Sequence, residues 1–143
     1  MKTTILAVGK WRGPEAALGA EYHKRLGGKA GIKEIPSSTQ KTENDLLLQA
    51  IPAKAFVILC DERGKEFSSR DFAAQLAAWQ QRGTDLAFVI GGADGVTDAI
   101  RQRADFVLSF GRATWPHRLA RVMLLEQLYR ARQIAAAHPY HRD

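Results

Sequence analysis

The residues best suited to chemistry are concentrated at the C-terminal end of this chain. Residues 101–143 carry eight arginines and no lysine, against three acidic residues, Asp105, Glu126 and Asp143. Three of the four histidines, His117, His138 and His141, lie in the same stretch. Guanidinium groups pair bidentately with phosphate and stack on bases, so this segment points to a polyanion such as RNA, with a solvated basic helix as the simpler alternative. At 3.6 residues per turn, Arg118, Arg121 and Arg132 fall on one helix face within roughly 60° and are expected to present their charges to that partner.

A second group is the glycine turn Gly91-Gly92-Ala93-Asp94-Gly95, which follows the apolar run Leu86–Ile90 and precedes a helical pattern. Strand, glycine turn and helix together bring backbone N–H groups close to a ligand. No Gly-Lys-[Ser/Thr] follows, so this is not a nucleoside-triphosphate loop, and its spacing is not the dinucleotide fingerprint. Alone it indicates a tight turn. Two further loops sit at strand ends: the polar turn Asp61-Glu62-Arg63-Gly64-Lys65 and the segment Ser109–Pro116. In an open parallel sheet, ligands bind outside the carboxyl ends of the strands. Three such loops outline a pocket for a small organic ligand, neutral or cationic, without a phosphate grip.

The elements that must position these groups alternate between strand and helix, which indicates an α/β fold with a mostly parallel sheet. Strands are expected over 3–8, 32–36, 55–60, 86–90 and 106–108, and helices over 15–25, 42–50, 69–81, 96–103 and from Pro116 to about Ala137. The runs Phe56–Leu59 and Leu86–Ile90 are continuously apolar, as in strands covered on both faces. Ala120, Leu124, Leu128, Ala131 and Ala135 form an apolar stripe on the last helix, expected to pack on the core. Trp11, in a polar loop, is suited either to packing or to stacking on an extruded base.

At 143 residues, with 45% hydrophobic and 25% charged residues, the chain reads as one globular domain over 1–143. The net charge is +6. No apolar run approaches the roughly 20 residues of a membrane span. The single cysteine, Cys60, allows no internal disulfide, and no carboxylate–histidine set has metal-ligand spacing. A cytoplasmic protein without membrane or metal partner is expected.

Several motifs converge on one family. Ala7-Val8-Gly9-Lys10, Glu21-Tyr22 with Lys24-Arg25, Asp61-Glu62 with Gly64-Lys65, and Ile90-Gly91-Gly92 occur in its order. They are followed by Pro116-His117 with Leu119-Ala120-Arg121, by Leu124 with Glu126-Gln127-Leu128-Tyr129-Arg130-Ala131, and by the tail His138-Pro139-Tyr140-His141-Arg142. From end to end the chain resembles the bacterial 23S ribosomal RNA pseudouridine N3-methyltransferases, minimal members of the SPOUT (α/β-knot) class. The resemblance implies an α/β-knot fold with helices on both faces of the sheet, a C-terminal trefoil knot, S-adenosyl-L-methionine as cofactor and a homodimer acting on ribosomal RNA within the ribosome. Carried over, the cofactor contacts fall at Cys60, Gly92, Gly111, Arg112, Ala113, Thr114, Trp115 and Pro116. The catalytic candidates fall in the tail at Tyr140, His141 and Arg142.

The implied reaction moves a methyl group to N3 of a pseudouridine, which must lose its proton. Imidazole ordinarily titrates near physiological pH, which makes His141 the candidate base or relay. Arg142 is the candidate for holding phosphate or the developing anion. A non-catalytic RNA-binding or ribosome-assembly protein, and a knotted methyltransferase acting on transfer RNA, are the alternatives.

Overall fold

The computed structural model describes residues 1–141. Five strands form one sheet: β1 (Thr3–Val8), β2 (Gly31–Ile35), β3 (Phe56–Glu66), β4 (Leu86–Ile90) and β5 (Phe106–Ser109). Helices α1 (Pro14–Arg25), α2 (Gln40–Ala50), α3 (Ser69–Gln80), α4 (Asp98–Arg103) and α5 (His117–Ala135) connect and follow them. The strand order is β2-β1-β4-β3-β5, with every pairing parallel.

Alternation along the strands divides the core into two layers. Ile5, Ala7, Ile58, Leu86, Phe88 and Ile90 face one layer, with Phe72, Leu76 and Trp79 of α3 and Leu124, Leu125, Leu128 and Ala131 of α5. Leu6, Val8, Val57, Leu59, Ala87 and Val89 face the other, with Leu47 of α2 and Ile100 of α4. β4 lies at the centre with all five residues buried, which explains its unbroken apolar run.

Local chemistry sets the boundaries. Ser68 caps α3 by accepting from the Asp71 N–H at 3.0 Å. Gly83, at φ +75°, follows that helix in the left-handed conformation glycine favours. Pro116 is the residue before α5 rather than its first turn, with ψ 137°.

Three expectations change. The polar turn after Cys60 is not the end of its strand: Cys60 pairs with Leu108, residues 61–64 leave the ladder, and Lys65 and Glu66 pair with Leu108 and Ser109. The return is possible because Gly64 lies against β5, where a Cβ would stand 2.6 Å from the Val107 carbonyl carbon and oxygen. The apolar stripe on α5 is wider than expected, because α5 packs beside both α1 and α3. Val122 and Leu125 are buried with Leu124, Leu128 and Ala131, whereas Ala135 is exposed. Arg121 belongs to this buried surface and does not present its charge outward.

Trp11 is packed. Its indole lies over Gly19 of α1 so closely that a Cβ there would sit 2.1 Å from Cη2.

Candidate cofactor pocket

A cavity of about 370 Å³ opens at the carboxyl edge of the sheet, where the three expected loops meet. Cys60 through Arg63 form one wall, Ile90 through Val96 the second, and Phe110, Gly111 and Ala113–Trp115 the third, with His117, Ala120 and Arg101 completing it. The volume lies in the usual range of small-molecule sites, roughly 300–1,000 Å³.

Glycine is required at two positions by crowding behind the wall. A Cβ on Gly91 would meet Val96 Cγ1 at 2.8 Å; one on Gly92 would meet Glu43 Oε1 at 2.8 Å and Val8 Cγ1 at 2.9 Å. The turn is closed by the Gly95 N–H donating to the Gly92 carbonyl at 3.0 Å, with Gly95 at φ +77°. It is also held from outside by α2, which periodicity alone did not identify. Asn44, buried, accepts from the Thr97 N–H at 2.8 Å and donates to the carbonyls of Gln40 at 2.7 Å and Gly95 at 3.4 Å. Gln40 donates to the Asp94 carbonyl at 2.8 Å. No sequence signal marked these two amide side chains, because Thr97, Gly95 and Asp94 lie more than 50 residues away.

The third loop is tied to the first. The buried Ser109 hydroxyl accepts from the Gly111 N–H at 3.0 Å and donates to the Gly111 carbonyl at 2.7 Å, with the Glu62 carbonyl at 3.2 Å. The Thr114 hydroxyl donates to the Glu62 carboxylate. Gly111, at φ +119°, makes the bend. Gly91, Gly92 and Gly111 thus put backbone groups on two walls of the pocket, suited to a flat heterocycle gripped by main-chain groups, with the longer side chains of Arg63, Arg101, Phe110, Trp115 and His117 around them. Burial, with Asp61 adding, pushes the Cys60 thiol up to about 12, so it serves as an uncharged wall. Burial and then Arg118 and Arg121 depress the pKa of His117, so its imidazole is neutral at neutral pH.

The residues expected to contact cofactor are thus mostly assembled: Cys60, Gly92, Gly111, Ala113, Thr114 and Trp115 line one cavity. Arg112 lines a neighbouring shallow groove with Glu62 and Arg63, and Pro116 stands at the start of α5. This setting fits S-adenosylmethionine: the backbone of the glycine turn suits adenine, and the acidic side chains Asp61, Glu62 and Asp94 line the cavity beside Arg63 and Arg101 and offset their charge toward a sulfonium.

The tail is elsewhere. The Tyr140 ring packs edge-on against Tyr129 at 4.7 Å, its hydroxyl lies 3.5 Å from that of Tyr22, and the Arg130 guanidinium sits 5.0 Å from its centroid. Burial, the Tyr22 hydrogen bond and the nearby Glu126 push the Tyr140 phenol up to about 12. His141 Nδ1 lies 3.5 Å from an Arg70 guanidinium nitrogen. Arg142 lies outside the described residues. None of Tyr22, Tyr129, Arg130 and Arg70 lines the cofactor cavity. Tyr22 instead borders a second, more apolar cavity of about 540 Å³ with Leu18, Phe67, Leu119, Val122 and Met123.

The arginines expected to face RNA divide. Arg132 is exposed, with one nitrogen donating to the Leu26 carbonyl at 3.0 Å. Arg118 is half-buried. Arg121 is fully buried, bonded to Glu34 at 2.7 Å and to the Gly9 carbonyl at 2.9 Å, with its guanidinium 4.7 Å from the Trp11 ring. Periodicity places the three together but says nothing of Glu34 and Trp11, which meet one of them.

Among the described residues no group of three or more His, Cys, Asp or Glu is placed to hold a metal, and no helix is long and apolar enough to cross a membrane.

Over 99% of both chains, this one is 47% identical to the ribosomal RNA large subunit methyltransferase H of Rhodospirillum centenum. It is 45% identical over the full length of both to the protein of that name from Paracoccus denitrificans. In structure it is similar to a probable methylase family protein from Haemophilus influenzae, with TM-score 0.63 at 13% identity, covering 99% of this chain and 70% of that one. That likeness concerns the fold alone. The family model described as "Predicted SPOUT methyltransferase" matches residues 1–141, and the chain belongs to the SPOUT methyltransferase family.

Proposed function

We propose that this protein transfers a methyl group from S-adenosyl-L-methionine to N3 of a pseudouridine in 23S ribosomal RNA, acting as a homodimer on the ribosome in the cytoplasm. The observation that carries the reading is the pocket at the carboxyl edge of the sheet, built from loops 60–63, 90–96 and 110–115, in a chain related over its whole length to ribosomal RNA methyltransferases.

When bound, the cofactor supplies an electrophilic methyl on a sulfonium that departs as a neutral thioether. The chain's own residues orient the reactants and remove the N3 proton. Gly92 and the Gly111–Trp115 loop hold the adenosine end, and Cys60, neutral, forms the adjoining wall. His141 takes the N3 proton, Arg142 holds the charge that develops on the base or a neighbouring phosphate, and Tyr140 fixes the tail.

Because Tyr140 and His141 contact residues that do not line the cavity, the reading assigns the tail of one protomer to the pocket of its partner. A knot formed by the chain around 109–117 belongs to the same reading and would hold the third loop against the first, as the Ser109 and Thr114 hydrogen bonds to Glu62 do.

Incubation of ribosomes with the protein and methyl-labelled S-adenosylmethionine tests the reading. Label is expected on one pseudouridine of the 23S RNA. Absence of labelled RNA, together with absence of cofactor binding by calorimetry, would favour a non-catalytic RNA-binding role; label on transfer RNA would redirect the substrate.

A further inference from the structure

An ion pair lies in the lining of the cofactor cavity. Arg101, from α4, and Asp61, where β3 leaves the ladder, both line it, and Arg101 Nη2 lies 2.9 Å from Asp61 Oδ2. The other Asp61 oxygen accepts from the Arg63 N–H at 2.8 Å, with the Arg63 guanidinium at 3.5 Å. Burial opposes its ionisation, but those hydrogen bonds and the charges of Arg101 and Arg63 hold the carboxyl below its ordinary range, so it stays an anion. Arg63 is a surface side chain, 69% exposed, whereas Arg101 is 28% exposed. Among the described residues the Arg101 side chain pairs with Asp61 alone, through one nitrogen. Its fork carries two further N–H-bearing nitrogens, and the residue lines the cavity.

We infer that Arg101, steered by Asp61, binds the methionine carboxylate of the cofactor and thereby fixes which end of the molecule lies toward α4. This rests on the methyltransferase reading. S-adenosylmethionine carries a sulfonium, an ammonium and a single anionic group, the carboxylate. A guanidinium lining its pocket is attracted to that group and repels the other two. Planar two-pronged donors match a carboxylate and confer direction as well as affinity. The adenosine end would then be left to the uncharged residues Gly91, Gly92, Gly111 and Ala113–Trp115, with the sulfonium held away from Arg101. Arg101 is in this account a binding residue, and Asp61 a positioning residue that acts through it.

The test compares three ligands by calorimetry: S-adenosylmethionine, its decarboxylated form, and 5′-methylthioadenosine, which lacks the amino-acid end. Wild-type protein is expected to bind the decarboxylated form about tenfold more weakly than the parent, the size of one charge-assisted contact. Arg101→Gln is expected to weaken S-adenosylmethionine by about the same factor while leaving the other two within about twofold. Arg101→Lys, which keeps the charge but loses the fork, is expected to fall between. Asp61→Asn should reproduce the Arg101→Gln pattern in weaker form.

Equal weakening of all three ligands in Arg101→Gln would show a structural role and overturn the inference. So would undiminished affinity of the wild type for the decarboxylated form, a comparison that depends on no variant folding. A wild-type chain that binds none of the three would instead remove the methyltransferase reading itself.

Discussion

Arg121 of α5 and Glu34 of β2 are 87 residues apart and meet at 2.7 Å, the guanidinium fully buried and the carboxylate 37% exposed. The same Glu34 oxygen accepts from the Trp11 N–H at 2.7 Å, while Arg121 donates to the Gly9 carbonyl at 2.9 Å and lies against the Trp11 ring. One pair thus fixes the loop after β1 between the sheet edge and the last helix. Gly9 in that loop also lies against His117: a Cβ there would be 3.4 Å from the imidazole Nε2. Buried charges of this kind are costly to separate because removing one partner strands polar groups.

Arg121→Met should therefore destabilise the fold by about 2–4 kcal/mol, less than a fully buried pair because Glu34 keeps solvent contact. Urea denaturation measures it. The salt dependence of RNA binding separates this role from phosphate contact. Arg132→Gln should lower the slope of log K against log salt by about one, and Arg121→Met, under conditions where it is folded, should leave the slope unchanged.

The Glu34 carboxyl gives a pH signature. Burial opposes its ionisation, but the Arg121 and Trp11 hydrogen bonds outweigh it and hold its pKa below the ordinary 4.5. A depressed carboxyl contributes stability above its unfolded pKa, and that contribution is lost as pH falls through the folded value. The urea midpoint of the wild type should drop on acidification below about pH 4.5. Glu34→Gln should start lower at pH 7 and fall less.

Asn44→Ala should loosen the glycine turn without touching ligand. The loss of one buried side-chain network predicts about 1–3 kcal/mol of stability and a comparable weakening of cofactor binding, read by calorimetry. Gly92→Ala forces a methyl into Glu43 and Val8 and should reduce cofactor affinity more strongly.

The Cys60 thiol, pushed up to about 12, should resist alkylation. At pH 8 iodoacetamide should react about a thousandfold more slowly than with an unperturbed thiol, in proportion to the thiolate fraction. Cys60→Leu should keep cofactor binding, since the role assigned to this position is that of a neutral wall.

Much of this was legible from sequence where local pattern and tertiary demand agree. The central strand 86–90 is apolar throughout because both its faces are covered, and its glycine turn follows directly. The cap at Ser68 and the glycine after α3 are local chemistry. The pairing of Lys65 and Glu66 with β5 was not legible: Asp61-Glu62-Arg63-Gly64 is polar and turn-like, and only the missing Cβ of Gly64 against Val107 permits the return. Arg121 looked like its neighbours because helical periodicity assigns a face but not what covers it. Asn44 carried no pattern of its own, its partners Thr97 and Gly95 lying more than 50 residues away. That Tyr140 packs on Tyr129 and Tyr22 rather than lining the cavity is a property of the folded chain that no spacing in the sequence encodes.

The central claim, methyl transfer to ribosomal RNA by this pocket and tail, is tested most directly by mass spectrometry of 23S RNA from cells lacking the protein. The expected result is loss of one methyl group from one pseudouridine, restored by the wild-type chain and not by Gly92→Ala or His141→Ala. A methylation pattern unchanged by removal of the protein would contradict the account.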